Sequence, residues 1–597
     1  MSFIYEARIT QFSKELKKYK SASRNLGFAR LVLFLLMAAG IYLYWGQSIP
    51  IFVFIVGGGA IFLRLVVLNS KADLEVKYLQ ALISINENEK LAVSGNFENP
   101  ENGEEFIKPN HEYSNDFDLF GKKSFFSKFN RTVSIQGKGT LANWLTQPEL
   151  DAEKIVAKQA AIKELVSKLD WRQEFLANGM LNQITQKDEE RITKWHNYQS
   201  TIGGNSFFYW SLKIIPAITI GLLVSSILGF TAWSTFGYYL LLPLGYVSSY
   251  LKRVNYEYGI ISNLVLKFEV LANLTEKIEN ENFDATILKQ WKNELFTEAN
   301  EKASVKIKEL KSLLAKFEQR NNMLMGILLN AFLLWDIQLM HRMNFWKQEN
   351  SLELSKWIAV IGNFDSSISL ANMAYNNPAL KYPVLSKEEY LVKGKNIKHP
   401  MLNHKTAVGN NFTISGKGNV NIVTGANMAG KSTFLRTIGL NMVIGMMGAP
   451  VPAEDFTFSP MMIFSSMRTE DSLAEQTSFF YAELSRLAKI SDILKTGEKR
   501  FVILDEILKG TNSHDKARGS YAFVEKMINY NMMGLIATHD LSLCELAEKH
   551  PNKIANKSFE VEFENDELVF DYKLQNKVCQ NMNASFLLKK MGIVDHY

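Results

Sequence analysis

Cysteine is nearly missing from this chain: Cys544 and Cys579 are the only two in 597 residues. That excludes a disulfide framework and any multi-cysteine metal site, and reduced, cytoplasmic folding is the natural reading. A dominant charge is lacking too. The 67 Lys and Arg against 61 Asp and Glu leave a formal +6, which neither demands nor excludes a nucleic-acid or anionic-lipid partner. No internal repeat is visible. No cleaved signal peptide is expected either, because the first thirty or so residues are polar and basic and no small-residue cleavage pattern follows the first apolar run. What remains is a chain long enough for about three domains, with 47% hydrophobic residues spread unevenly along it.

That unevenness takes the form of four apolar runs: Leu31 to Trp45, Ile49 to Leu63, Ile214 to Phe230 and Phe236 to Tyr250. Each holds about 15–17 uncharged residues, the short end of the roughly 17–25 that span a bilayer, and uncharged flanks extend most of them. Buried core helices are the alternative. Against it, the turns carry no charge, aromatic residues cluster near the run ends, and basic residues flank one side only. Lys17, Lys18, Lys20, Arg24 and Arg30 precede the first pair, and Arg64 and Lys71 follow it. Lys213 precedes the second pair, and Lys252 and Arg253 follow it. By the positive-inside rule, two transmembrane hairpins dip in from the cytoplasm, which predicts a multi-pass protein of the inner membrane with its soluble parts inside. A further run, Met323 to Trp335, meets Asp336 at once and is expected as a buried helix of the soluble body. Pro216 and Pro243 are expected to kink the second hairpin.

The expected division is a basic segment (1–30), hairpin 1 (31–68), a helix and linker (69–118), a helical core (119–205), hairpin 2 (206–253), further core and lever helices (254–385) and an α/β domain (386–597). The helical parts show amphipathic stretches such as "DAEKIVAKQAAIKELVSKL", whereas after Pro383 short β-rich runs alternate with helices.

The chemistry concentrates in that last part. In "NVNIVTGANMAGKSTFLRTIG" an apolar strand leads into Gly425 to Ser432, read as G-x-x-x-x-G-K-S, and then into a helix. Gly425 and Gly430 leave backbone N–H groups open to phosphate oxygens, and the helix N-terminus adds partial positive charge. Lys431 is placed for the β- and γ-phosphates of ATP, and Ser432 for Mg²⁺. A second strand, "KRFVILDEI", ends in Asp505, a Mg²⁺ ligand through water, and Glu506, which can orient or deprotonate the attacking water. A third, "MMGLIATHD", delivers His539, an imidazole able to donate to the γ-phosphate. Three strand ends in this order predict an ATPase.

These residues resemble the MutS family of DNA mismatch-repair ATPases. The loop T-G-A-N-M-A-G-K-S-T departs from the family's usual form only in Ala426, which replaces a proline. The match adds Asn427 and Thr433 to the nucleotide-binding set. "DEILKGTNSHD" is similar to the family's D-E-x-x-x-G-T-x-x-x-D, with Gly510 and Thr511 in register. "DSLAEQTSFFYAEL" resembles the segment that reaches across a dimer, with Ser478, Phe480 and Glu483 at its serine, aromatic and acid. Upstream, Phe129 to Leu165 and the stretch "IGNFDSSISLANMAYNNPALKYPVL" look like the start and end of the family's helical core. The resemblance implies an ABC-like P-loop ATPase domain on an all-α core and lever. It also implies a homodimer whose composite sites take Ser478 in trans, with DNA as a partner.

The departures limit that inference. A mismatch-sensing domain with F-x-E is expected to be missing; "FIYEAR" has the wrong spacing. The second hairpin interrupts the core where lever helices lead toward the family's DNA clamp, and no nuclease tail is expected. Two functions follow as expectations: a membrane-anchored ATPase whose clamp-like movement engages DNA, or an ATP-driven motor acting on a membrane or protein partner without DNA. An ABC transporter is the weaker third, since no LSGGQ-type signature is present.

Overall fold

The computed structural model describes residues 1–203, 206–403, 405–468, 479–509, 511–564 and 567–580. Its N-terminal helix, α1 (Ser2–Leu43), runs without a break from the basic residues through the first apolar run. The chain turns and comes back through a π-helical turn (Phe54–Gly58) into α2 (Gly59–Val93). The two helices lie antiparallel. The Glu6–Lys90 ion pair at 2.6 Å and the Ser23–Asp73 hydrogen bond at 2.5 Å fix the register near the base. Near the tip Gly40 admits the Phe54 ring, where a Cβ would sit 2.6 Å from it.

The base of this stalk is plugged into the helical body. Tyr5 is fully buried and donates to Asn376 Oδ1 at 2.7 Å. Asn376 donates in turn to Glu89 on α2 at 2.5 Å, and Glu89 pairs with Arg131 at 2.7 Å.

The body is built around one long helix. It is assembled from α3 (Ile135–Thr146), α4 (Ala152–Ser167), α5 (Leu169–Met180), α6 (Ser206–Ile227), α7 (Leu241–Ile261), α8 (Val265–Glu279), α9 (Ala303–Phe317), α10 (Met323–Leu333) and α11 (Trp335–Asn376). At 42 residues, α11 extends about 63 Å. Its second half is buried almost continuously from Val360 to Ala374 and packs on α3, α4, α8 and α9. Asp365 organises this packing. Its carboxylate accepts from Ser134 N at 2.8 Å, Ser134 Oγ at 2.6 Å and Val133 N at 3.1 Å, while Ser134 Oγ accepts from Gly137 N to cap α3. Burial pushes the Asp365 carboxyl up to about 7 against these hydrogen bonds. Gly137 has no side chain because α11 passes too close for one.

Among the described residues three helices are long and apolar enough to cross a membrane by length and composition: α1, the return helix Ile51–Val93, and α6. The fourth expected run, Phe236 to Tyr250, is helical in two pieces. It breaks at Leu240 between a short helix, Trp233–Tyr239, and α7. Pro243 is the third residue of α7, where its missing N–H costs no intrahelical bond, so the break falls just before it. Pro216 sits inside α6 with the helix continuing through it.

The expectation of a buried helix at Met323–Trp335 is overturned. In α10 only Gly326, Asn330 and Ala331 are buried, while Met323 and Leu324 are 77% and 76% exposed. An apolar run looks the same in sequence whether it faces a core or the outside. In α6 the polarity is inverted in part: Ser211, Thr219 and Ser226 face inward beside Phe208, Leu212 and Pro216, and Ile214, Ile218, Val224 and Ile227 face outward.

After α11 the chain enters the α/β body. A four-stranded sheet (Val384–Leu385, Asp455–Phe458, Leu391–Ile397, Asn410–Ser415, in spatial order) flanks a six-stranded one. The larger sheet comprises β1 (Val420–Gly425), β2 (Met462–Ser466), β3 (Arg500–Asp505), β4 (Met533–Ala537), β5 (Ile554–Phe559) and β6 (Leu574–Gln575), in the order β6-β5-β1-β4-β3-β2. All neighbours pair parallel except β6 with β5. Parallel strands buried on both faces explain why β1, β3 and β4 read as continuous apolar runs.

Asp365→Ala should strip buried N–H groups of their acceptor at about 1–3 kcal/mol each. The expected outcome is a clearly lowered thermal midpoint of the full chain in detergent, read by circular dichroism; an unchanged midpoint would remove Asp365 from this role.

Candidate active site

The phosphate-type loop, the acidic pair and the histidine come from three adjacent strands whose ends are level. Val423 on β1 pairs with Ala537 on β4, and Ala537 pairs with Asp505 on β3. Side chains just past these positions therefore share one crevice at the carboxyl edge of a parallel sheet, the usual ligand position in open α/β sheets.

Gly425 leaves β1 with φ 150°, and a Cβ there would lie 2.6 Å from the Phe559 carbonyl oxygen. Gly430, at φ 104°, starts α12 (Lys431–Met446). The Lys431 side chain is buried and folds back over its own loop, donating to Gly425 O at 2.7 Å and Ala426 O at 2.9 Å. Burial lowers its pKa, with Asp505 and Glu506 opposing. Ala426, where the resembling family usually has a proline, thus supplies a carbonyl acceptor to this arrangement. Ser432 Oγ donates to Asp505 Oδ2 at 2.6 Å.

Glu506 takes a left-handed backbone conformation, φ 52°, and so does Leu508 at φ 60°. Both are costly for side chains of this size. The Glu506 carboxylate lies 2.9 Å from His539 Nε2, and that hydrogen bond holds its pKa down to about 2. An ionised carboxylate only accepts, so Nε2 carries the proton and donates to it. The same nitrogen is 3.2 Å from Lys431 Nζ, a packing contact rather than a hydrogen bond in this tautomer.

The strained turn is held from below. On α13 (Phe479–Lys495), Glu483 is buried and accepts from the backbone N–H of Leu508 and, at 3.0 Å, of Lys509. Glu483 therefore serves its own chain's loop. Phe480 packs partly buried against the core below the sheet. Ser478 and Gly510 lie outside the described residues; Thr511 precedes the cap of α14 (Ser513–Asn529), supplied by Asn512.

Gly430, Lys431, Ser432, Asp505, Glu506 and His539 line a cleft of about 660 Å³ together with Asn427 and Thr433. Its wall contains residues that motif reading missed, among them Ile397, Val408 and Tyr572. Tyr572 is positioned by Asn410, which donates to its carbonyl at 3.0 Å and accepts from Leu574 N at 2.8 Å. No spacing rule flags such a wall, since it joins residues more than 160 positions apart. A larger cavity of about 1080 Å³ lies in the helical core, but its Lys138 is already paired with Glu101 and Glu105 and no glycine-rich phosphate loop opens into it.

The donor set suits Mg²⁺. A hydroxyl and a carboxylate are hard oxygen donors, and magnesium takes one or two protein ligands plus substrate phosphates. Among the described residues no cluster of three or more His, Cys, Asp or Glu forms an all-protein metal cage.

The stretch after α2, expected as a linker, is docked on this domain. Asp118 pairs with Arg436 of α12 at 3.0 Å and with Arg468 at 2.6 Å. Asp116 is buried and accepts from Ser465 Oγ at 2.6 Å and Arg468 N at 3.0 Å.

Comparison with known proteins matches the model of MutS domain III over residues 107–496 and that of MutS domain V over 421–590. Among curated relatives, the DNA mismatch repair protein MutS of Thermotoga maritima is 32% identical over 254 residues, 42% of this chain and 30% of that protein. The DNA mismatch repair protein MutS of Thermotoga sp. (strain RQ2) is 33% identical over 38% of this chain and 28% of its own length. MutS protein homolog 4 of Mus musculus is 33% identical over 31% of this chain and 20% of its own. The aligned part thus spans less than a third of each of these relatives.

Glu483→Ala should leave nucleotide binding close to normal and cut turnover at least tenfold, about 1.4 kcal/mol of barrier, because the turn carrying Glu506 loses its support. Equal turnover in the two proteins would show that the turn holds itself. Lys431→Ala should lose nucleotide binding altogether, as read by a fluorescent ATP analogue.

Proposed function

The chain belongs to the MutS family, and from that premise we propose that it is a membrane-tethered ATPase that works as a dimer. The observation that carries this reading is the convergence of Lys431, Ser432, Asp505, Glu506 and His539 on one crevice. Lys431 leaves its two loop carbonyls for the β- and γ-phosphates of the substrate. Gly425, Asn427, Gly430 and Thr433 border the phosphates, and Ser432 and Asp505 hold Mg²⁺. The metal supplies charge neutralisation to phosphate oxygens. Glu506, kept ionised by His539, orients a water and accepts its proton, and His539 is left able to donate toward the γ-phosphate. Ser478 of the second copy completes the site.

The anchor is the pair of hairpins. Supporting it are the three long apolar helices and the partly inverted polarity of α6, where small polar residues face the protein and aliphatic ones face out. With the basic flanks, this supports an ATPase held on the cytoplasmic side of the inner membrane.

Two partners are consistent with such an engine. The relatives' role in DNA mismatch repair favours DNA, reached by a clamp-like movement. A specific observation favours a membrane or protein partner without DNA. Three of the five lysines of the stretch 299–320 are matched by neighbouring acids: Lys306 with Glu301 at 2.7 Å, Lys308 with Glu276 at 2.8 Å and Lys311 with Glu269 at 2.7 Å. Phosphate neutralisation needs cations that are not already paired in this way.

Glu506→Gln should bind ATP and stall before hydrolysis, since the phosphate contacts survive and the orienting acid is lost; wild-type turnover in that variant would refute the assignment. For the partner, ATPase rate on detergent-solubilised protein with homoduplex, mismatched or branched DNA decides. A salt-sensitive change with any of them supports DNA, and indifference to all supports the membrane motor.

A further inference from the structure

The second hairpin does not stand alone. Beside it lies α10, whose exposed side is Met323, Leu324, Met325, Ile327 and Leu328 and whose buried side is Gly326, Asn330 and Ala331. This is the inversion of polarity seen in part of α6. Gly326 is pressed to the Arg320 carbonyl, where a Cβ would lie 2.9 Å away, and Asn330 Oδ1 accepts from Asp336 N at 2.9 Å. The polar groups of α10 are thus used up inside, and its aliphatic side chains face out.

α10 packs directly on α6 and α7, and Phe332 meets Phe236 of the hairpin with ring centroids 6.0 Å apart. Its exposed face therefore continues the hairpin's. From Asn321 to Trp335 there is no charged residue, and the two charges that bound this stretch pair with each other, Arg320 with Asp336 at 3.2 Å. Trp335 donates to Lys316 O at 3.1 Å at the same border. The entry and exit of the segment are consequently at one level. Its 11 helical residues extend about 16 Å, too short to cross a hydrocarbon core of about 30 Å. At Leu334, φ 48°, the chain bends by 78° into α11.

We propose that Met323–Leu333 is a re-entrant element that dips into the lipid bilayer beside the second hairpin and leaves on the side it entered. Lipid acyl chains are its occupant. The inference rests on the membrane reading of the hairpins and adds a third point of insertion. This one is covalently the start of α11, so the bilayer grips the first turn of the same helix that ends beside the α/β domain.

The test uses the full-length protein in phospholipid vesicles with one environment-sensitive fluorophore per variant. Both native cysteines are buried, and the unsubstituted protein reports background labelling. Leu324→Cys places the label on α10, Ile218→Cys on α6, and Glu298→Cys on an exposed loop of the body. All three positions are at the surface, and ATP turnover checks that each variant is folded. The expected result is blue-shifted emission at Leu324→Cys and Ile218→Cys, lost to nitroxide-bearing lipids and kept in aqueous iodide, with the reverse at Glu298→Cys. A lipid-quenched Ile218→Cys with an iodide-quenched Leu324→Cys overturns the re-entrant element and leaves the hairpin anchor standing. Iodide quenching at both overturns the anchor itself, and the inference with it.

Discussion

One buried carboxylate on one long helix holds the helical body together. Asp365 gathers the N–H groups of Val133 and Ser134 and so joins the start of the core, at α3, to α11, which lies more than 230 residues later in sequence. Around it the second half of α11 is buried on nearly every side. At one end, Asn376 receives Tyr5 and reaches Glu89, tying in the first hairpin's stalk. At the other, α11 begins at the bend from α10, against α6. Its second half cannot flex locally without losing buried contacts. Both hairpins are thus attached to the body built on this helix.

The α/β domain is joined to that body by charge. Arg436, on the helix that starts at the phosphate loop, pairs with Asp118, and Arg468 shares the same carboxylate. Close by, the turn after β3 stores backbone strain at Glu506 and Leu508, balanced by the buried Glu483 below it. Together with the docked stretch before α3, these contacts make a continuous path from the crevice to α11.

How much of this was legible in sequence depended on range. The phosphate loop, the Asp505–Glu506 pair and His539 were readable because each is a contiguous strand-to-turn signal, and parallel pairing then set them level. The family resemblance was readable for the same reason, since its motifs are local. The wall of the cleft was not, because Val408 and Tyr572 meet through a contact of Asn410 that no local pattern encodes. Glu483 was assigned from its neighbours to a dimer-reaching segment, whereas its carboxylate turns to its own chain. The apolar run at Met323 was misread because hydropathy does not say which solvent a face meets. The division of Phe236 to Tyr250 at Leu240 has no composition signal of its own, although Pro243 lies three residues on.

Transmission from the crevice to the membrane is the claim on which the rest turns, and one measurement reaches it most directly. Full-length Glu506→Gln protein in vesicles would carry a fluorophore at Phe230→Cys, on the fully exposed turn of the second hairpin. Coupling through α11 predicts that ATP shifts this signal and that the same addition leaves a Lys431→Ala protein with the same label unchanged. A label that ignores ATP, in protein shown to have bound it, would contradict the coupling.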